Sequence, residues 1–125
     1  MYQILPTRFE SARKVSLESE ARMRLGAAIF KSGRLLASCC NQKVKKKSTN
    51  GKVEHHAEIR ALRFVQRRTD VDPRGSTIYV YRQCIYGPAS AKPCKDCQRE
   101  LQKAGVRKII YTIPQPPFFE AWKVK

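Results

Sequence analysis

Apolar residues recur along this chain first at helical and then at strand spacing. Between residues 7 and 24, Phe9, Ala12, Val15, Ala21 and Met23 stand among charged neighbours. The stripe is imperfect but predicts an amphipathic helix of about four turns. Two short apolar runs follow, Leu25 to Phe30 and Leu35 to Cys40, on either side of Lys31-Ser32-Gly33-Arg34. Two such runs around a Gly-bearing turn predict a hairpin. Residues 43–52 are a basic polar loop. From Glu54 to Arg68 the spacing is helical again, with Ile59, Leu62 and Val65 able to face a core and Arg60, Arg63 and Arg67 on one exposed stripe.

After the turn Asp72-Pro73-Arg74-Gly75, Thr77 to Tyr81 is rich in β-formers and reads as a buried strand. Residues 82–92 read as a long loop containing Gly87 and Pro88. Cys94 to Ala104 reads as a helix closed by Gly105, and Val106 to Thr112 as another strand. Pro114, Pro116 and Pro117 interrupt the chain before a last extended piece, Phe118 to Val124. Strands alternating with helices predict an α/β layered domain. At 125 residues the whole chain, 1–125, is expected to be one such domain with a single core.

Two segments carry candidate chemistry, His56-Ala57-Glu58 and Pro93-Cys94-Lys95-Asp96-Cys97. Each half alone is weak, because C-x-x-C also occurs in redox pairs and structural metal sites. Together they offer one imidazole and two thiolates, with a carboxylate to spare. Three protein ligands, His56, Cys94 and Cys97, leave a tetrahedral Zn²⁺ one open position, which distinguishes a catalytic from a structural site. Water there becomes a nucleophile near neutral pH, and Glu58 can move its protons. His55 falls one position out of the H-x-E register and is read as a supporting or solvent-facing residue. In the predicted fold His56 and Cys94 lie near the starts of two helices, whose positive ends favour thiolate over thiol.

Charge changes the picture next. Lys and Arg number 26 against 10 Asp and Glu, a net charge of +16. Such an excess favours polyanions through counterion release and long-range steering. Lys45, Lys46, Lys47 and Lys52 form the densest cluster and are candidate nucleic-acid contacts. Of five cysteines, Cys39, Cys40 and Cys84 are left over from the metal set and read as small buried hydrophobes in strands. Nothing suggests a disulfide framework, so a reducing, cytoplasmic setting is expected. The first residues, Met-Tyr-Gln-Ile-Leu-Pro-Thr-Arg, contain no apolar core of a secretory signal. No run is long enough for a membrane span.

H-x-E followed by P-C-x-x-C is the pattern of zinc-dependent base deaminases, and the chain resembles the cytidine deaminase superfamily over most of its length. The segment Arg24-Leu25-Gly26-Ala27-Ala28-Ile29, with Gly33-Arg34 and Cys40-Asn41, resembles the first hairpin of nucleoside cytidine deaminases. The resemblance implies a three-layer cytidine-deaminase-like fold, a mixed sheet of about five strands with helices on both faces, and one Zn²⁺ per chain. It implies that activated water attacks C4 of cytosine while Glu58 serves as proton shuttle. Asn41 is carried over as a sugar contact, and Ala57 as a substrate contact between the two motif residues.

Three departures bear on the substrate. Lys43 stands where nucleoside deaminases usually have an acidic residue on the ribose hydroxyls. An ammonium cannot accept those bonds but can pair with a phosphate. The stretch from Tyr81 to Lys92 is longer than usual and resembles divergent viral or toxin-type deaminases. Its Tyr86 is the preferred base-stacking candidate, whereas Tyr79, Phe119 and Trp122 are read as core. After Thr112 the chain is expected to return as an antiparallel hairpin, because a parallel crossover needs about a dozen residues or more before its strand. That resembles the nucleoside-deaminase and toxin branches.

The leading expectation is a deaminase of cytosine within single-stranded DNA or RNA. The second is a deaminase of a free nucleotide or nucleoside of the dCMP or cytidine type. The third, a non-catalytic nucleic-acid-binding zinc module, gives no reason for Glu58. A homo-oligomer is compatible with the sequence, and no membrane partner is expected.

Overall fold

The computed structural model describes residues 6–19, 24–43, 54–84 and 87–124. Its elements run α1 (Phe9–Ser16), β1 (Leu25–Lys31), β2 (Arg34–Cys40), β3 (Gln42–Lys43), β4 (Glu54–His55), α2 (Ala57–Gln66), β5 (Thr77–Cys84), β6 (Gly87–Pro88), α3 (Lys95–Lys103), β7 (Lys108–Thr112) and β8 (Phe119–Lys123). The main sheet has the order β2-β1-β5-β7-β8, with β6 paired to the end of β5. The β5–β7 pair is parallel and the other pairs are antiparallel. The mixed five-strand path and the antiparallel β7–β8 return agree with the sequence reading. The β1–β2 turn places both Ser32 and Gly33 at positive φ, 51° and 79°. A two-residue turn of that hand matches the twist of the strands it joins.

Alternation along the strands makes the layers. Ala27 and Ile29 of β1, Ile78 and Val80 of β5, and Ile109 and Tyr111 of β7 face one way, against Leu62 and Val65 of α2 and Leu101 of α3. Ala28 and Phe30 of β1, with Tyr79 and Tyr81 of β5, face the other way, against Phe9 and Ala12 of α1. The Phe9 ring meets Tyr79 edge-on at 5.1 Å. Helix α1 lies so close to β1 that a Cβ at Gly26 would stand 1.9 Å from the Ala12 carbonyl oxygen. Helices on both faces of one sheet give the three layers expected.

The boundaries correct several expectations. Helix α1 stops at Ser16 rather than reaching 24. Ser16 Oγ donates to the Arg13 carbonyl at 2.6 Å, and the next amides form i−3 bonds to Lys14, Val15 and Ser16. Ser19 Oγ then bonds the backbone carbonyl and side-chain oxygen of Asn41. Serines that bond locally or across to another element draw backbone out of a helix. Helix α2 starts at Ala57 because Glu54 and His55 pair with Lys43 and Gln42 instead. Strand β5 continues to Cys84, beyond the expected end at Tyr81.

Trp122 is 39% exposed rather than core. It sits on the edge strand β8, opposite Ile109, and lines a shallow recess with Lys92, Pro93, Gln98 and Tyr111. Cys39 and Cys40 are half-buried rather than fully buried. Ile59 is also half-buried, turned away from the core that Leu62 and Val65 join. No helix among the described residues is long and apolar enough to cross a membrane.

Candidate active site

The site forms where α2 and α3 begin. His56 is the N-cap of α2, with extended backbone (φ −69°, ψ 144°) and no capping bond from its side chain. Its carbonyl accepts the Arg60 amide at 3.0 Å, so the backbone starts the helix while the imidazole turns toward α3. Cys94 caps α3, its Sγ accepting the Cys97 amide at 3.5 Å. Gln98 Nε2 donates to the Pro93 carbonyl at 2.8 Å and fixes the chain just before that cap. Cys97, one turn in, is buried. His56 Nδ1 lies 3.2 Å from Cys97 Sγ and 3.8 Å from Cys94 Sγ.

These three donor atoms all stand within 4.8 Å of one another. Donors about 2.0–2.3 Å from a tetrahedral zinc stand roughly 3.3–3.8 Å apart, so the two His56–Cys spacings and the mix of nitrogen and sulfur suit that ion. Burial, then the nearby Glu58 carboxylate, pushes the Cys97 thiol well above its ordinary range.

Glu58 occupies the first turn of α2 and is only 4% exposed. Burial raises its proton affinity, opposed in part by its own backbone amide and by His56. A carboxyl group held that way binds a proton more readily than an exposed one, which suits a residue that must take up and release protons.

A cleft of about 550 Å³ lined by the three ligands opens between α2 and α3. His56, Ile59, Arg60, Arg63, Phe64 and Arg67 form its α2 wall, and Asp96 and Glu100 join Cys94 and Cys97 on the α3 wall. The sequence reading named the arginines but missed Phe64, which is 55% exposed. The signal was available: positions 56, 59, 60, 63, 64 and 67 share one helical face. Arg60 is not simply exposed, since its guanidinium donates to the Cys40 carbonyl.

The other expected contacts are placed less directly. Asn41 is buried at the base of the hairpin, where its Oδ1 accepts the Leu25 amide at 2.9 Å and the Ser19 hydroxyl at 2.7 Å. It is not on the cleft wall. Lys43 pairs through its backbone with Glu54, in the short ladder leading to His56. Ala57 is fully buried between His56 and Glu58. Tyr86, Lys45, Lys46, Lys47 and Lys52 lie outside the described residues.

The family model described as the cytidine and deoxycytidylate deaminase zinc-binding region matches residues 5–113. The chain belongs to this family. Zinc is accordingly the metal of the domain, and His56, Cys94 and Cys97 are the group that can hold it. No curated protein sequence matches the chain significantly.

Among solved structures, the dCMP deaminase of cyanophage S-TIM5 in apo form is similar at 26% identity and a TM-score of 0.68, over 88% of this chain and 86% of that one. Cytidine deaminase from Burkholderia pseudomallei superposes with a TM-score of 0.73 over 97% and 94% of the two chains, at 17% identity. A structure from a study of tRNA:A34 deaminases gives a TM-score of 0.58 at 24% identity, over 90% and 79%. The last two speak to the fold alone. The cytidine-deaminase-like fold read from the sequence is the fold of this deaminase family member.

Proposed function

We propose that this deaminase hydrolyses cytosine to uracil within single-stranded nucleic acid. The observation that carries the chemistry is the convergence of His56, Cys94 and Cys97 beside a buried Glu58. Zinc held by the three ligands supplies a Lewis-acid centre that activates water as a nucleophile near neutral pH. Glu58 takes a proton from that water and passes it to N3 of the base, then takes the remaining proton of the hydroxyl added at C4 and delivers it to the departing amine. One water enters and one ammonia leaves. His56, Cys94 and Cys97 bind the metal and move no protons. Burial of Glu58 keeps bulk water from competing for them.

The polynucleotide reading rests on charge. A net charge of +16 exceeds what one nucleotide's phosphate can use, and Lys43 stands where a ribose-binding carboxylate would suit a free nucleoside. A second reading, a free deoxycytidylate substrate, is favoured by the 26% likeness to the cyanophage dCMP deaminase, which has also been crystallised with dCMP and dUMP. Purified zinc-loaded protein incubated in parallel with cytidine, dCMP and a cytosine-containing oligonucleotide, with uracil read by mass spectrometry, separates them. Faster conversion of the oligonucleotide is expected. Conversion of dCMP alone would put the free nucleotide in its place.

A further inference from the structure

The cleft between α2 and α3 has a chemistry that the deamination step does not use. It is lined by His56, Cys94 and Cys97 but not by Glu58, and runs from the metal ligands along α2 past Arg63, Phe64 and Arg67. Its two acids already have partners on their own helix: Asp96 is 3.8 Å from Arg99, and Glu100 is 3.7 Å from Lys103. Arg60 is committed to the Cys40 carbonyl. Arg63 and Arg67 have no acidic partner among the described residues. They stand one turn apart, about 6 Å along the helix axis. Between them in sequence, and on the same face, Phe64 presents an apolar ring largely to water.

Uncompensated guanidiniums flanking an exposed aromatic ring suit a ligand with repeated anions and flat apolar faces. A single-stranded polynucleotide has both, since its phosphates are neutralised by cations and its bases stack on aromatic rings. An inorganic anion would leave Phe64 without purpose, and an apolar peptide would bury two unpaired charges. A second copy of the chain could set its α3 acids against these arginines. It would also bring another +16 against +16, which opposes association.

We propose that this cleft is a track for the strand flanking the target base, with Arg63 and Arg67 on successive phosphates and Phe64 stacked on a base. The proposal rests on the polynucleotide reading and assigns it a location.

The test uses the zinc-loaded protein and a labelled oligothymidylate, which offers phosphates and bases but no cytosine to turn over. Affinity is measured across a salt series for wild type, Arg63→Ala/Arg67→Ala, Arg63→Lys/Arg67→Lys and Phe64→Ala. Circular dichroism and zinc content establish that each variant is folded. Two lost phosphate contacts should lower the slope of log K against log[salt] by about 1.4. The lysine pair should largely restore it. Phe64→Ala should weaken binding about 5- to 150-fold with the slope unchanged, the range expected for one stacked base.

A steep wild-type slope that survives in the arginine-to-alanine variant would overturn the track and leave the polynucleotide reading standing. A wild-type slope near zero would remove both. A dimer, seen by sedimentation, that dissociates in Arg63→Ala/Arg67→Ala while strand affinity is unaltered would assign the cleft to a second copy and overturn the proposal.

Discussion

Thr112 Oγ1 donates a hydrogen bond to the Ala89 carbonyl at 2.7 Å. The same oxygen accepts the Arg82 amide at 3.1 Å, and the Thr112 carbonyl accepts the Ala91 amide at 2.9 Å. Thr112 is fully buried at the end of β7. One residue thus ties the end region of β5 to the chain approaching Pro93 and Cys94. The metal ligands come from helix starts, and this clamp holds the segment that leads into Cys94.

Replacing Thr112 with Val keeps the shape and removes the hydroxyl. The Ala89 carbonyl and the Arg82 amide then lose a buried partner, at a cost of about 1–3 kcal/mol. Denaturant titration should show that loss, and chelator competition should show weaker zinc retention. Thr112→Ser should recover most of both. Unchanged zinc retention in Thr112→Val would mean that Cys94 is positioned without the clamp.

Cys97→Ser should lose zinc. Cys97 is buried, and serine supplies a poorer ligand in a set that needs all three donors. Metal binding is coupled to folding, so the melting temperature should fall as well. Elemental analysis of the purified variant checks this; stoichiometric zinc would remove Cys97 from the ligand set.

The site was more legible in the sequence than its surroundings. His56, Glu58, Cys94 and Cys97 are read from local spacing because a metal demands particular donor types and helix starts deliver them. Apolar runs around a Gly-bearing turn, and stretches of β-formers between turn and helix-stop signals, likewise placed β1, β2, β5 and β7. Non-local bonds were not legible. Ser19 reaches Asn41 across 22 positions, which ends α1 early and holds the Asn41 side-chain oxygen at the base of the hairpin. Glu54 and His55 leave the predicted helix for a ladder with β3. Trp122 was assigned to the core on hydrophobicity, yet an edge strand has a neighbour on one side only. The cleft escaped notice because its two walls belong to helices far apart in sequence.

Tyr111 gives a pH-dependent prediction. Its hydroxyl donates to Glu120 Oε1 at 2.8 Å, and burial, then that bond, pushes its pKa from 10.0 up to about 12. Below pH 10 the tyrosine is protonated in both the folded and unfolded chain, and its contribution is intact. Between about pH 10 and 12 the folded chain keeps a proton that the unfolded chain releases, so stability falls as pH rises. The loss attributable to this residue should be on the order of 2 kcal/mol at most. Tyr111→Phe should start lower by about 1 kcal/mol, the value of one hydrogen bond, and decline less steeply over that interval. Parallel stability curves for the two proteins from pH 9 to 12 would reject the assignment.

Glu58→Gln separates metal binding from proton transfer. The substitution preserves size and removes the ionisable group, leaving the three donors untouched. Because burial already disfavours the Glu58 carboxylate, a neutral amide should not weaken the fold, and zinc content should equal that of wild type. Turnover should fall by at least about 10²–10⁴, the usual worth of a general acid–base group, and by more if the same carboxyl serves both the water and the leaving amine. This pattern is opposite to that of Cys97→Ser, where zinc and stability go first and activity is lost as a consequence. Elemental analysis and rate measurement on the same preparation of each variant make the comparison. Zinc-replete Glu58→Gln protein that still deaminates at near wild-type rate would place the proton shuttle on another residue, even with the metal site assigned correctly.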